Sequence, residues 1–166
     1  DVRSAESVAA FLDETEAVLG PIDVLVNNAG VMWVGPFAQE PEAAAERMLD
    51  VNFHGVARGV RAMVPRMLGR GGGHIVTVAS VASHIAPAGE ATYAASKHAV
   101  LGYLTSVRQE LRGTPVELSV VMPVVVRTEL AAGTAPGGMP PLEPQDVADA
   151  VAEAIERPRF EVFVPG

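Results

Sequence analysis

Tyr93 and Lys97 stand four residues apart in the run GHIVTVASVASHIAPAGEATYAASK, residues 73–97, and Ser80 lies thirteen residues ahead of the tyrosine. On a helix, side chains at i and i+4 share one face and can touch. A phenol ordinarily loses its proton near pH 10, and a neighbouring ammonium favours the phenolate and lowers that value. A tyrosine tuned in this way exchanges a proton with a hydroxyl or carbonyl oxygen near neutral pH. Ser80 closes a short apolar run, where its hydroxyl is placed to hydrogen-bond the same oxygen. The set suits carbonyl–alcohol interconversion. Alone, each part is weak: a Tyr-x-x-x-Lys pair also occurs on ordinary helix surfaces, and a lone strand-end serine is more often a cap.

The elements that must hold these residues follow from periodicity and punctuation. Ser4 is placed to cap a helix whose apolar positions Val8, Phe11, Leu12, Val18 and Leu19 recur at helical spacing up to Gly20-Pro21. Ile22–Asn27 is a continuous apolar run, stopped by Asn28-Ala29-Gly30, and predicts a buried parallel strand with a tight turn. Residues 31–40 read as loop. One long helical region is expected from about Pro41 to Leu68, with Met48, Asn52, Val56, Val60, Met63 and Met67 on one face and a kink or break at Pro65. His74–Ala79 is the second strand. The helix Ala91–Leu111 turns Val100, Leu101, Leu104, Val107 and Leu111 inward. Its small residues Ala94, Ala95, Ala99 and Gly102 let another helix approach. Glu117–Met122 is a third strand, stopped by Pro123. Residues 127–141, rich in Gly, Pro, Ala and Thr, are long enough for a mobile lid. A helix from about Pro144, through Val147, Val151 and Ile155, precedes a last strand at Phe160–Val164.

Strands alternating with helices predict an α/β fold with a parallel, doubly wound sheet, partial here: about four strands with helices on both faces, in a single domain over residues 1–166. Such a sheet binds its ligand at the carboxyl ends of its strands. Asn28-Ala29-Gly30, Ser80 and Pro123 all follow strand ends and therefore fall on that edge.

Composition limits the alternatives. The 166 residues are 49% hydrophobic and 19% charged, which excludes a disordered chain. The formal net charge is −8, so no electrostatic footprint exists for nucleic acid or an anionic membrane. Cysteine is absent, and His54, His74, His84 and His98 show no metal-ligand spacing, so neither disulfide nor metal chemistry is expected. The apolar stretch around Val120–Val126 is too short to span a bilayer, and no signal sequence opens the chain, so a cytoplasmic protein is the expectation.

The residues resemble the short-chain dehydrogenase/reductase family, in its single-domain branch. The resemblance rests on Asn27-Asn28-Ala29-Gly30, Asn52-x-x-Gly55, Gly73-x-Ile75-Val76 leading to Ser80, Tyr93-Ala94-Ala95-Ser96-Lys97, and Pro123-x-x-Val126-x-Thr128. It implies an NAD- or NADP-dependent Rossmann-like oxidoreductase acting on a small carbonyl or alcohol substrate. Tyr93 would then be the catalytic acid/base, Ser80 would polarise the substrate oxygen, and Lys97 would lower the Tyr93 pKa and hold the nicotinamide ribose. Asn52 would fix a water that links Lys97 to solvent. Asn28, Ala29, Gly30, Pro123 and Val126 would line the cofactor, Asp1 and Val2 would contact its adenine, and Thr128 would hold the carboxamide. Val31, Met32, Trp33, Ile85, Val124, Val125 and Met139 suggest an apolar substrate pocket. The two long helices would pair subunits into a homodimer or homotetramer.

Three departures accompany the resemblance. The family's Gly-rich phosphate-binding turn has no counterpart here, and matching Asp1-Val2 to the family's Asp-Val implies that three strands and two helices lie upstream. The expectation is a piece of a longer protein; the alternative is a truncated, inactive chain that serves only in assembly or binding. Ala79 stands for the first of a frequent serine pair. Val124 follows Pro123 where glycine is usual, and a β-branched side chain there narrows the pocket.

Overall fold

The computed structural model describes residues 1–134, 138 and 140–165. Among the described residues, five α-helices and four strands run in the order α1 (Ala5–Leu19), β1 (Val24–Asn27), α2 (Glu42–Met48), α3 (Gly55–Gly69), β2 (Gly73–Val78), α4 (Ala91–Glu110), β3 (Val116–Pro123), α5 (Pro144–Glu156) and β4 (Glu161–Val164). All four strands are parallel in the order β1-β2-β3-β4. The expected α/β sheet of about four strands is therefore present. Pro123 ends β3 inside the sheet, opposite Val164, and does not break the strand.

Ser4 caps α1 as expected, its Oγ accepting the Ser7 N–H at 3.1 Å. The apolar spacing of α1 misleads beyond that point. Leu12 is buried, whereas Phe11, Val18 and Leu19 are 61%, 75% and 81% exposed. Periodicity identifies a face; it does not supply the surface that covers it.

The long helical region also differs from expectation. The chain stays helical through Pro65 to Gly69, and the departure from α geometry falls earlier, in a π turn at Leu49–His54. Such turns accommodate an extra residue and recur at functional sites. This one carries Asn52, which is 1% exposed. Met48, Val56, Val60, Met63 and Met67 are all buried, so their shared face is core.

One core layer joins Leu12 of α1, Val60, Met63 and Met67 of α3, and Val100 and Leu104 of α4 to Ile75, Leu118, Val120 and Met122 of the sheet. Each fully buried side chain of this size contributes about 1.5–3 kcal/mol relative to exposure. The opposite face packs Ala154 of α5 on Val76, Val121, Val162 and Val164. All three crossovers step across the sheet in one direction. Helix α5 lies on the face opposite α3 and α4, so the β3–α5–β4 connection turns with the opposite hand to the other two. Parallel crossovers are overwhelmingly right-handed, which makes this the left-handed one. It covers the second face of a sheet whose simple strand order would otherwise leave that face bare.

Candidate active site

A cavity of about 1130 Å³ opens at the carboxyl ends of the strands. Asn28, Ala29 and Gly30 after β1, Ser80 after β2, and Pro123, Val124, Val125, Val126 and Thr128 after β3 line it, together with Tyr93 and Lys97 from α4. Val147 and Val151 of α5 form part of its wall. The parallel arrangement gathers strand ends at one edge, so residues far apart in sequence converge.

Ser80 leaves β2 in extended conformation and starts a tight turn at Val81–Ser83. Its Oγ accepts the Ala82 N–H at 3.1 Å, which fixes the oxygen and leaves the hydroxyl proton available as a donor. The turn is tied to β4 through His84, whose Nε2 lies 2.9 Å from Glu161 Oε2 while its ring packs beside Phe163.

Tyr93 and Lys97 are 7% and 6% exposed. Burial brings the Lys97 ammonium down to a pKa of about 8. Its Nζ lies 5.5 Å from the Tyr93 ring centroid and donates to the Val78 carbonyl at 3.4 Å. The phenol of Tyr93 is pushed above its ordinary value. Burial is the main cause, and the nearby Glu90 carboxylate adds to it, while the Ser80 hydroxyl opposes both. The lowering expected from Lys97 does not set the direction here: desolvation of the buried phenol does, against the opposing Ser80 hydroxyl.

Asn52 does not line the cavity. Its Oδ1 accepts the Val31 N–H at 2.9 Å, and its Nδ2 donates to the Val31 carbonyl at 2.9 Å and to Ser96 Oγ at 3.1 Å. Ser96 in turn donates to the Tyr93 carbonyl at 2.7 Å. The side chain thus clips the loop after β1 to the helix that bears Tyr93 and Lys97.

Val2 and Asp1 part company. Val2 lines a second cavity of about 180 Å³ beside Asn28, Ala29 and Gly55. A Cβ on Gly55 would meet Val2 Cγ2 at 3.0 Å, which explains a glycine at that position, and Arg58 holds the Val2 carbonyl at 3.1 Å. Asp1 pairs with Arg3 at 2.7 Å and is half exposed, lining neither cavity.

Of the apolar residues expected at the pocket, Met32, Ile85, Val124 and Val125 line the main cavity. Val31 and Trp33 pack just behind it in a cluster with Met48, Ala82, Tyr93 and Ala94. Met139 lies outside the described residues. Val124 needs no special backbone, since no non-glycine residue described has a positive φ. The segment expected as a lid is anchored at its base: Arg127 N–H donates to the Leu142 carbonyl at 2.8 Å, and the Arg127 guanidinium pairs with Glu143 at 2.8 Å. Among the described residues no cluster suited to a metal ion occurs.

A family model described as short chain dehydrogenase matches residues 1–137. The chain belongs to the short-chain dehydrogenase family. The chain is 42% identical to 1-deoxy-11-beta-hydroxypentalenate dehydrogenase of Streptomyces exfoliatus, over 98% of this chain and 62% of that protein. It thus spans less than two thirds of that curated relative. A short-chain dehydrogenase/reductase of Burkholderia phymatum, solved in complex with NAD, superposes with a TM-score of 0.86 at 31% identity, over 98% of this chain and 68% of that one. An alcohol dehydrogenase of the archaeon Thermococcus sibiricus, complexed with 5-hydroxy-NADP, gives 0.85 at 26% identity, over 98% of this chain and 71% of that one. The chain shares the Rossmann-like fold of these oxidoreductases.

Two features of this short-chain dehydrogenase were not singled out from sequence. Ser96 is the partner of Asn52, and Glu90 lines the cavity beside Tyr93 while only 5% exposed. The spacing of Glu90, three residues before Tyr93, was the available signal.

Proposed function

We propose that the chain carries the proton-transfer centre of an NAD(P)-dependent dehydrogenase that interconverts a carbonyl and an alcohol on a small, largely apolar substrate. The observation that carries this reading is the convergence of Ser80, Tyr93 and Lys97 on one cavity at the carboxyl edge of the sheet. In reduction, the substrate oxygen accepts a hydrogen bond from the Ser80 hydroxyl, and the Tyr93 phenol delivers its proton to that oxygen. Burial favours the protonated phenol, which suits the reductive direction. Lys97 supplies positive charge close to the phenolate left behind. In oxidation the same groups run in reverse, with Tyr93 as base.

The fit to a nicotinamide dinucleotide rests on residues of this chain. Lys97 is a buried ammonium with three donors and one long hydrogen bond, an arrangement that calls for acceptor oxygens such as ribose hydroxyls. Asn28, Ala29, Gly30, Pro123, Val126 and Thr128 would line the remainder of its nicotinamide half, and Val2 the adenine side. When bound, NAD or NADP supplies the hydride acceptor or donor. The same reading has the protein acting in the cytoplasm as a homodimer or homotetramer. The outward Ala95 and Gly102 of α4 support close helix pairing, since nothing lies within 4 Å of a Cβ on Gly102.

Reduction of apolar ketones with NADH and NADPH tests the proposal. Tyr93→Phe is expected to lower kcat by at least about 100-fold while cofactor affinity stays within about twofold. Unchanged turnover would remove Tyr93 from its role.

A further inference from the structure

Glu90 occupies the N-cap of α4, where an acidic side chain ordinarily accepts an amide N–H of the first turn. It makes no such bond. Its carboxyl takes part in none of the described hydrogen bonds or ion pairs, although the residue is 5% exposed. It lines the large cavity, and Lys97 is the other charged residue among the described lining. Spacing of i to i+3 sets Glu90 on the same face as Tyr93. Burial raises the Glu90 carboxyl, and its charge is felt at the Tyr93 phenol. The Glu90 carboxyl oxygens are not among the sealed, unpartnered polar atoms of the described residues, so they open onto the cavity, and a ligand that fills this space must replace the donors it displaces. The lining is largely apolar, with Val81, Ile85 and Val124 among it, and Glu90 is its one acidic group among the described residues.

We infer that Glu90 is a specificity-determining residue that accepts a hydrogen bond from a hydroxyl or amino group carried by the substrate close to its reacting carbonyl. The inference rests on the carbonyl–alcohol reading above and deepens it. Preferred substrates are hydroxylated or aminated carbonyl compounds and the matching diols or amino alcohols. Compounds bearing a carboxylate at that position are rejected by like charge.

Binding tests this separately from turnover. Trp33, the one tryptophan of the chain, packs in the cluster that holds Tyr93 and serves as a fluorescence probe. The full chain as encoded is titrated with cyclohexanol, its vicinal diol and its vicinal amino alcohol, with NAD or NADP present. The diol or the amino alcohol is expected to bind about tenfold more tightly than cyclohexanol. Glu90→Leu brings all three within about twofold of one another. Glu90→Gln, which keeps an acceptor and loses the charge, retains a preference for the diol and weakens one for the amino alcohol. An undiminished preference in Glu90→Leu, equal weakening of all three ligands, or no binding by the unsubstituted chain overturns the inference. A chain that binds with this selectivity but lacks turnover would instead count against the dehydrogenase reading alone.

Discussion

The Lys97 ammonium lies 5.5 Å from the centroid of the Tyr93 ring, with the Val78 carbonyl at 3.4 Å as its hydrogen-bond acceptor. A cation so buried is held at a cost in stability. Its pKa falls from 10.5 to about 8, so the folded chain binds this proton less tightly than the unfolded chain.

The sign of the consequence follows from linkage. Below pH 8 both states are protonated and the full penalty applies, on the order of 3 kcal/mol. Between about 8 and 10.5 the folded chain has released the proton and the unfolded one has not, so stability rises with pH. Lys97→Met is therefore expected to stabilise the chain by about 1–3 kcal/mol at neutral pH, with the gain vanishing above the window, while turnover is lost. Urea denaturation at neutral and alkaline pH measures this; a less stable Lys97→Met at neutral pH would contradict it.

Asn52 should behave as a structural clip. Asn52→Ala leaves the Val31 N–H and carbonyl without their partners. The expected loss is about 2–4 kcal/mol, since each orphaned buried polar group costs about 1–3 kcal/mol. Chemical denaturation gives the value. A loss under about 1 kcal/mol would mean that the loop after β1 is held by other contacts.

His74 predicts a response to acid. It is 6% exposed, with Nε2 2.9 Å from Ser119 Oγ and Nδ1 unpartnered. Burial lowers its pKa below the ordinary 6.5, with Glu117 opposing. The unfolded chain then takes up this proton first, so stability declines as pH falls through about 6.5 and levels off below the folded-state value. His74→Leu should flatten the acid limb of a plot of melting temperature against pH. An unaltered limb would assign the acid sensitivity to other groups.

Gly72 joins α3 to β2 at φ +143°, and a Cβ there would sit 2.8 Å from the Pro115 carbonyl oxygen. The obstacle is backbone and cannot rotate away. Gly72→Ala is expected to cost about 1–3 kcal/mol, read as a lower melting temperature, with kcat retained in the folded fraction. A neutral substitution would show that the loop relaxes without strain.

What was legible in the sequence follows the range of the forces involved. The four strands and the bounds of α4 emerged within a residue or two, because apolar runs and glycine or proline punctuation are local signals. That Ser80, Tyr93 and Lys97 meet at one cavity was legible because their spacing is local as well. The direction of the Tyr93 shift was not, since it depends on how much of the protein surrounds the phenol. The π turn escaped for a similar reason: Asn52 is held by Val31 and Ser96, 21 and 44 residues away. Phe11, Val18 and Leu19 show the converse, a clear helical rhythm without a covering layer. The side of the sheet taken by α5 could not be read either, because the usual handedness rule points to the other face.

That left-handed passage determines where selectivity can change. To travel from β3 to the far face, the chain must cross the mouth of the cavity, and it does so with Thr128, Leu130 and Thr134 on the lining. The residues proposed for proton transfer, Ser80 after β2 and Tyr93 and Lys97 on α4, lie on the other wall of the cavity. The crossing itself is fixed at its base by Arg127, Leu142 and Glu143. Substitutions at Thr128, Leu130 or Thr134 therefore reshape the cavity lining without touching Ser80, Tyr93 or Lys97.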